Sequence, residues 1–346
     1  MAQRHGPGDP NKLDFMFVLL SSTSFQGLTD SARSMSLETV TIRVDDPPVD
    51  VLVYKSLIAH VAPYFRGAFE HAFREADEGV VCLPDVSEST FRIFLSWMHA
   101  QLFEGGSTSP NFGPDLSTLN QSSGEVTNIT VPYEEPSPSL FDTNTFREIM
   151  DQDVDVLNQR YYENPDWLAW HEATLISLLL LYIFADKYSV HQLRDDIMSA
   201  AMGHVLAWNW WPGLAHLTLI NKACEHLPST AQFLRFLTSS VAYVWDRADD
   251  DTCRRFLAEM PQSFLVEVMI IQAHLIAQLH SLTGVSGALE EDIPNSCTFH
   301  EHLVRDQDQC RQRLASCGHV FTGILNACAK EAEKTLAVHS SFRTVH

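Results

Sequence analysis

The apolar positions of this chain change period along its length, and each change marks an element. Val40, Ile42 and Val44 alternate with polar residues, as do Val49, Val51 and Val53, so each trio lines one face of a strand. Asp45-Asp46-Pro47-Pro48 lies between them and supplies turn residues, because proline cannot donate to a ladder and aspartate readily caps a turn. The spacing then lengthens to four. Leu57, Val61, Phe65, Phe69 and Phe73 fall along one side of helical segments. Pro63 interrupts them early and predicts a short helix followed by a second one with Pro63 in its first turn. Val80-Val81-Cys82-Leu83, stopped by Pro84, reads as a third strand. Ser87 is the predicted N-cap of a helix whose apolar stripe is Phe91, Phe94, Leu95 and Met98.

Elsewhere the pattern weakens or broadens. Residues 1 to about 36 carry Gly, Pro, Ser and Thr without period and are expected to be disordered. A polar insertion occupies about 103–170, and its second part, with Trp167 and Trp170, is expected to fold back on the protein. Ser137-Pro138 within it reads either as a phosphorylation point or as part of a plain surface loop. The longest apolar run, Leu175 to Ala185, is about half of what a bilayer crossing needs. After Met202, the apolar faces of Phe233 to Val244 and Phe264 to Ile276 predict further helices, with Trp208, Trp210 and Trp211 read as core.

Several ordered motifs carry a family resemblance. They are V-x-K-S-L-I at Val53 to Ile58, Pro63-Tyr64-Phe65, F-x-x-A-F at Phe69 to Phe73, E-G-V-V-x-L-P-D at Glu78 to Asp85, and F-x-x-F-L-x-W-M at Phe91 to Met98. A later segment, Leu178 to Met202 with Ala185-Asp186-Lys187-Tyr188, matches too. Together they resemble the BTB/POZ domain, in the form common in uncharacterised fungal proteins. The resemblance implies an α+β fold, a short β-sheet flanked by helices over 37–202 and split by the insertion. An all-α extension would follow over 203–282, and a Cys/His-containing segment over 283–346. Another small α+β domain with similar patterning is the alternative.

That resemblance implies an adaptor or scaffold for other proteins rather than an enzyme. Two partner classes follow from it. Domains that pair with a second copy carry an acidic residue before the first strand and a basic residue after the second. Lys55 matches the basic position, but Thr39 stands at the acidic one and Tyr54 where a histidine is usual, so homodimerisation is disfavoured. Domains that bind a cullin scaffold of a ubiquitin ligase carry a hydrophobic residue, any residue and Glu, which Phe73-Arg74-Glu75 matches. Phe73 also continues the buried stripe, and core packing competes for it. A self-associating scaffold or transcriptional co-regulator is the alternative in the same class.

Charge and cysteine usage narrow the partners. With 44 acidic against 23 basic residues the formal net charge is −21, which repels nucleic-acid phosphates and anionic membranes. Seven cysteines, odd in number and without tight pairing, fit a reducing compartment, cytoplasm or nucleus, better than a disulfide framework. Phe15 to Leu20 lacks the basic flank and length of a signal peptide, so the expected location is intracellular.

One constellation has metal chemistry. Cys297, His300, His302 and Cys310 form C-x2-H-x-H-x7-C, four thiolate and imidazole donors for a structural zinc. The run also resembles a C-x-[YF]-H-x-H tail of the fungal relatives. The competing reading is a helix capped by Ser296 with Phe299, Leu303, Cys310 and Leu314 inward. In a regular helix His300 and His302 point about 200° apart, so a shared metal demands an irregular segment. A hydrolytic zinc would further need an open coordination position and a base such as Glu301. This zinc-dependent hydrolase is the alternative of a different class.

Overall fold

The computed structural model describes residues 38–71, 73–101, 165–208, 210–214, 216–244, 250–282 and 296–343. The N-terminal segment, Ser137 with the insertion up to residue 164, and residues 283–295 lie outside them. Within these bounds the protein is mixed α+β, a three-stranded sheet with many helices.

Strands β1 (Thr39–Val44) and β2 (Val49–Tyr54) form the hairpin that the alternation predicts, in the register Val40↔Val53, Ile42↔Val51, Val44↔Val49. Ile42, Val44 and Val53 are fully buried on one face, while Arg43 pairs with Asp50 across the other. Helices α1 (Lys55–Val61), α2 (Pro63–Glu70) and α3 (Arg74–Glu78) then carry the chain to β3 (Val80–Leu83), which runs parallel to β1 and completes the order β2-β1-β3. Pro63 opens α2 as expected. In α4 (Glu88–Gln101), Ser87 caps through its Oγ, which accepts from the Thr90 N–H at 3.2 Å, and Phe91, Phe94, Leu95 and Met98 are buried. The Asp45 carboxylate reaches the same end, accepting from the Glu88 N–H, and ties the hairpin turn to α4.

After the undescribed stretch come α5 (Pro165–Lys187) and α6 (His191–Ala207), which pack on α4 and on each other. Helix α5 begins at Pro165, so Trp167 and Trp170 belong to it and not to an insertion loop, and Trp170 is buried. Its apolar window, Leu168–Lys187, exceeds the Leu175 to Ala185 run and by length and composition is long enough to cross a membrane, yet it packs between α4, α6 and the last helix. Helices α7 (Leu217–His226), α8 (Gln232–Val244), α9 (Asp250–Glu259) and α10 (Gln262–Leu282) follow. A 3-10 turn (Ser296–Phe299), α11 (Gln307–Ser316) and α12 (Gly318–Arg343) return the chain, with α12 laid across α4, α5 and α6. One apolar core runs from the sheet through these helices and includes Trp210, which has no exposed surface.

Two sequence expectations are corrected here. Phe73 is not in the buried stripe. Helix α2 stops at Glu70, the backbone at Phe73 is extended, and the ring is 56% exposed. The four-residue rhythm therefore ends at Phe69, which is buried. The acid facing Lys55 is Glu38 rather than Thr39. The register Thr39↔Tyr54 sets Glu38 opposite Lys55, and their side chains meet at 2.9 Å.

Candidate metal centre

The site forms where the returning chain meets α6. That helix is buried almost throughout, yet it carries a polar row at Gln192, Asp195, Asp196 and Ser199, the spacing of one helical face. The row supplies hydrogen bonds to the 296–317 segment. The Asp195 carboxylate accepts from the Glu301 N–H at 2.8 Å, and the Ser199 hydroxyl lies 3.1 Å from His300 Nε2. Asp196 receives Arg313 through Nε at 2.9 Å and a second guanidinium nitrogen at 2.6 Å, and also accepts from Trp97 Nε1 and Gln192. Arg313 donates onward to Gln101 at 2.9 Å. Both Asp196 and Arg313 are buried, where a paired charge is tolerated only with such full hydrogen bonding. Burial raises the Asp196 carboxyl, against the hydrogen bonds from Trp97 and Gln192 that lower it, and burial lowers the Arg313 guanidinium.

Held against this row, the four predicted ligands converge. One donor atom from each of Cys297, His300, His302 and Cys310 lies within 4.8 Å of the others. Cys297 Sγ and Cys310 Sγ are 3.5 Å apart, and His300 Nδ1 is 3.0 Å from Cys310 Sγ. In a tetrahedral zinc site with typical bond lengths, sulfur–sulfur edges measure about 3.8 Å and nitrogen–nitrogen edges about 3.4 Å. The two measured separations are somewhat shorter than such edges, the whole set stays within 4.8 Å, and the group could hold a metal ion. His302 Nε2 is buried with no hydrogen-bond partner, which a metal bond would satisfy. The cysteine thiols share a proton unequally. Cys297 lies well below the usual thiol range, because Cys310 hydrogen-bonds to it and His300 and His302 add to the effect, while Cys310 is raised in turn.

Local backbone explains how His300 and His302 reach one point. The competing helix does not form over 300–305. The 3-10 turn ends at Phe299, the chain becomes irregular, and His302 takes φ +54° before Asp306 caps α11 by accepting from the Gln309 N–H. Phe299 and Cys310 are buried as that reading had it, but Leu303 is 62% exposed. The Ser199 hydroxyl donates to the Asp195 carbonyl at 3.1 Å and so is free to accept from His300 Nε2, a contact of the kind that fixes the tautomer of a metal-binding imidazole. Glu301, the sequence candidate for a base, turns away to α5 and α6. Its carboxylate pairs with Arg194 at 2.6 Å and lies near the Tyr182 hydroxyl.

The remaining candidates lie elsewhere. Phe73, Glu75 and Lys55 are on the sheet-and-hairpin part of the fold, with Phe73 exposed and Glu75 half-buried. Sequence reasoning missed the α6 row, although its i, i+3, i+4, i+7 spacing in an otherwise apolar helix was a readable signal. It also missed Arg313, whose partner is 117 residues away. No family model, curated protein or solved structure matches this chain.

Proposed function

We propose that the chain is a protein-interaction adaptor built on a BTB/POZ-type domain and braced by a structural zinc at Cys297, His300, His302 and Cys310. The observation that carries the adaptor reading is the order of elements. A β1–β2 hairpin, short helices, a β3 parallel to β1, then α4 and the α5–α6 pair sharing one core follow the order that the sequence motifs imply. Exposure of Phe73 supports the cullin branch of this reading, since its ring is open to a partner, with the half-buried Glu75 two residues on. Glu38 just before β1 and Lys55 just after β2 meet the acid-and-base pattern of self-pairing domains, which supports a self-associating scaffold as the second reading.

Zinc is supported over other metals by the two thiols and two imidazoles. Four protein donors fill a tetrahedron, and Glu301 is held in an ion pair, so the centre favours bracing over hydrolysis. Affinity purification with mass spectrometry tests the adaptor reading, and a cullin is the expected co-purifying protein. Phe73→Ala combined with Glu75→Arg is expected to abolish its recovery while changing folding stability by no more than about 1 kcal/mol, since neither side chain is in the core. Absence of any cullin with the unmodified protein defeats this branch.

A further inference from the structure

We infer that Cys297 and Cys310 are a site of reversible oxidation, in which a hydroperoxide joins them as a disulfide and expels the metal. The inference rests on the metal reading above for the second half of that statement, and on the thiol pair alone for the first. The two sulfurs are 3.5 Å apart, whereas a disulfide bond needs about 2.05 Å, so they close by about 1.5 Å to bond. A zinc at the centre would hold them about 3.8 Å apart and act as a spacer. Cys310 lies in the first turns of α11 and Cys297 in the 3-10 turn, so each sits at the end of a short element adjoining irregular chain. Cys297 keeps 9% of its surface open and Cys310 6%, the narrow access through which a small oxidant reaches the pair.

The chemistry balances without any group beyond the oxidant. The Cys297 thiolate attacks the outer oxygen of the peroxide. A sulfur–oxygen bond forms, the oxygen–oxygen bond breaks, and the departing oxygen takes a proton. The Cys310 thiolate then attacks the resulting sulfenic sulfur, and the sulfur–oxygen bond breaks with loss of hydroxide, which a second proton converts to water. Two thiolates, one hydroperoxide and two protons give one disulfide, one alcohol (water, for hydrogen peroxide) and one water. A disulfide offers no anionic sulfur, so the divalent ion keeps only two imidazoles and leaves. Of the other described cysteines, Cys317 caps the far end of α11 beside Arg313, seven residues from Cys310. Cys82 is exposed on β3, Cys224 is in α7, and Cys328 is enclosed in α12.

The test uses the full chain carrying Cys82→Ser, which removes the exposed competing thiol on β3. The zinc-loaded protein is treated with a few equivalents of hydrogen peroxide. Released zinc is read with a chromogenic chelator, and the linkage by peptide mapping without reductant. The expected result is stoichiometric zinc release together with a Cys297–Cys310 link, and zinc re-uptake after dithiothreitol. Zinc retained under peroxide, or zinc released with the two cysteines over-oxidised or linked elsewhere, overturns the inference. Should the isolated protein contain no zinc, a Cys297–Cys310 link still supports the oxidation site while the metal reading falls, and the lack of that link overturns both.

Discussion

Acidification is expected to unfold this protein through three buried imidazoles. His171, His204 and His216 sit among Trp170, Trp208 and Trp210, and His171 Nδ1 is 2.9 Å from His204 Nε2. Burial depresses His204 to about 3 and His216 to about 4, from an ordinary value of 6.5, and depresses His171 in the same direction, with the two neighbouring histidines adding to it. Each ring is therefore neutral in the folded protein and takes up a proton only on unfolding. The unfolded chain binds more protons below pH 6.5, so stability is present above that pH and is lost as pH falls from 6.5 towards the folded values. Between pH 7.5 and 5.0 each such ring costs about 2 kcal/mol, and three cost about 6, comparable with the whole stability of many domains. Burial raises the Glu172 and Glu301 carboxyls and pushes Asp196 up to about 7, which contributes the opposite slope. The histidine contribution is thus read as a difference between unmodified protein and His204→Gln, whose amide can still donate to His171. Urea midpoints followed by circular dichroism across pH 5.0–7.5 are expected to show a slope shallower in the variant by about one proton, roughly 1.4 kcal/mol per pH unit at the acid end. Identical slopes for the two proteins would refute the reasoning.

Two further outcomes follow from the centre and its brace. Asp196→Leu strands the Arg313 guanidinium and is expected to cost about 3–5 kcal/mol in urea unfolding, with Arg313→Met in the same chain restoring most of it. A loss below about 1 kcal/mol for the single change would show that the pair does not hold the segment. His302→Ala removes a donor whose nitrogen has no other partner, so elemental analysis is expected to find sub-stoichiometric zinc. Chelation should then lower the melting temperature of the unmodified protein and leave the variant nearly unmoved.

What could be read from residues alone follows from the distance over which each signal acts. The hairpin was legible because Val40 to Val53 obey a period of two, and each residue's facing depends only on its neighbours. The Ser87 cap and the Pro63 start are local in the same sense. Phe73 was misplaced because spacing counts residues and is blind to where a helix stops. Three residues after Glu70 the chain is extended, and the count no longer maps to a face. The ligand types at Cys297 to Cys310 were legible as chemistry, but their convergence depends on the left-handed His302 and on α6, a helix about a hundred residues earlier. Lys55 was paired with the wrong residue by a single position, since pairing across the hairpin depends on register and not on a motif.

The clamp between Asp196 and Arg313 also sets where this protein can be cut. Trp97 and Gln101 on α4, Gln192 and Asp196 on α6, and Arg313 on α11 meet in one hydrogen-bonded knot. A fragment ending near residue 202, the boundary suggested by sequence motifs, would keep the aspartate and lose the guanidinium that neutralises it. It would also bare the sides of α4, α5 and α6 that α12 covers. The smallest piece expected to fold on its own therefore reaches into the last helix, so that the sheet, α4–α6 and the tail make one cooperative unit.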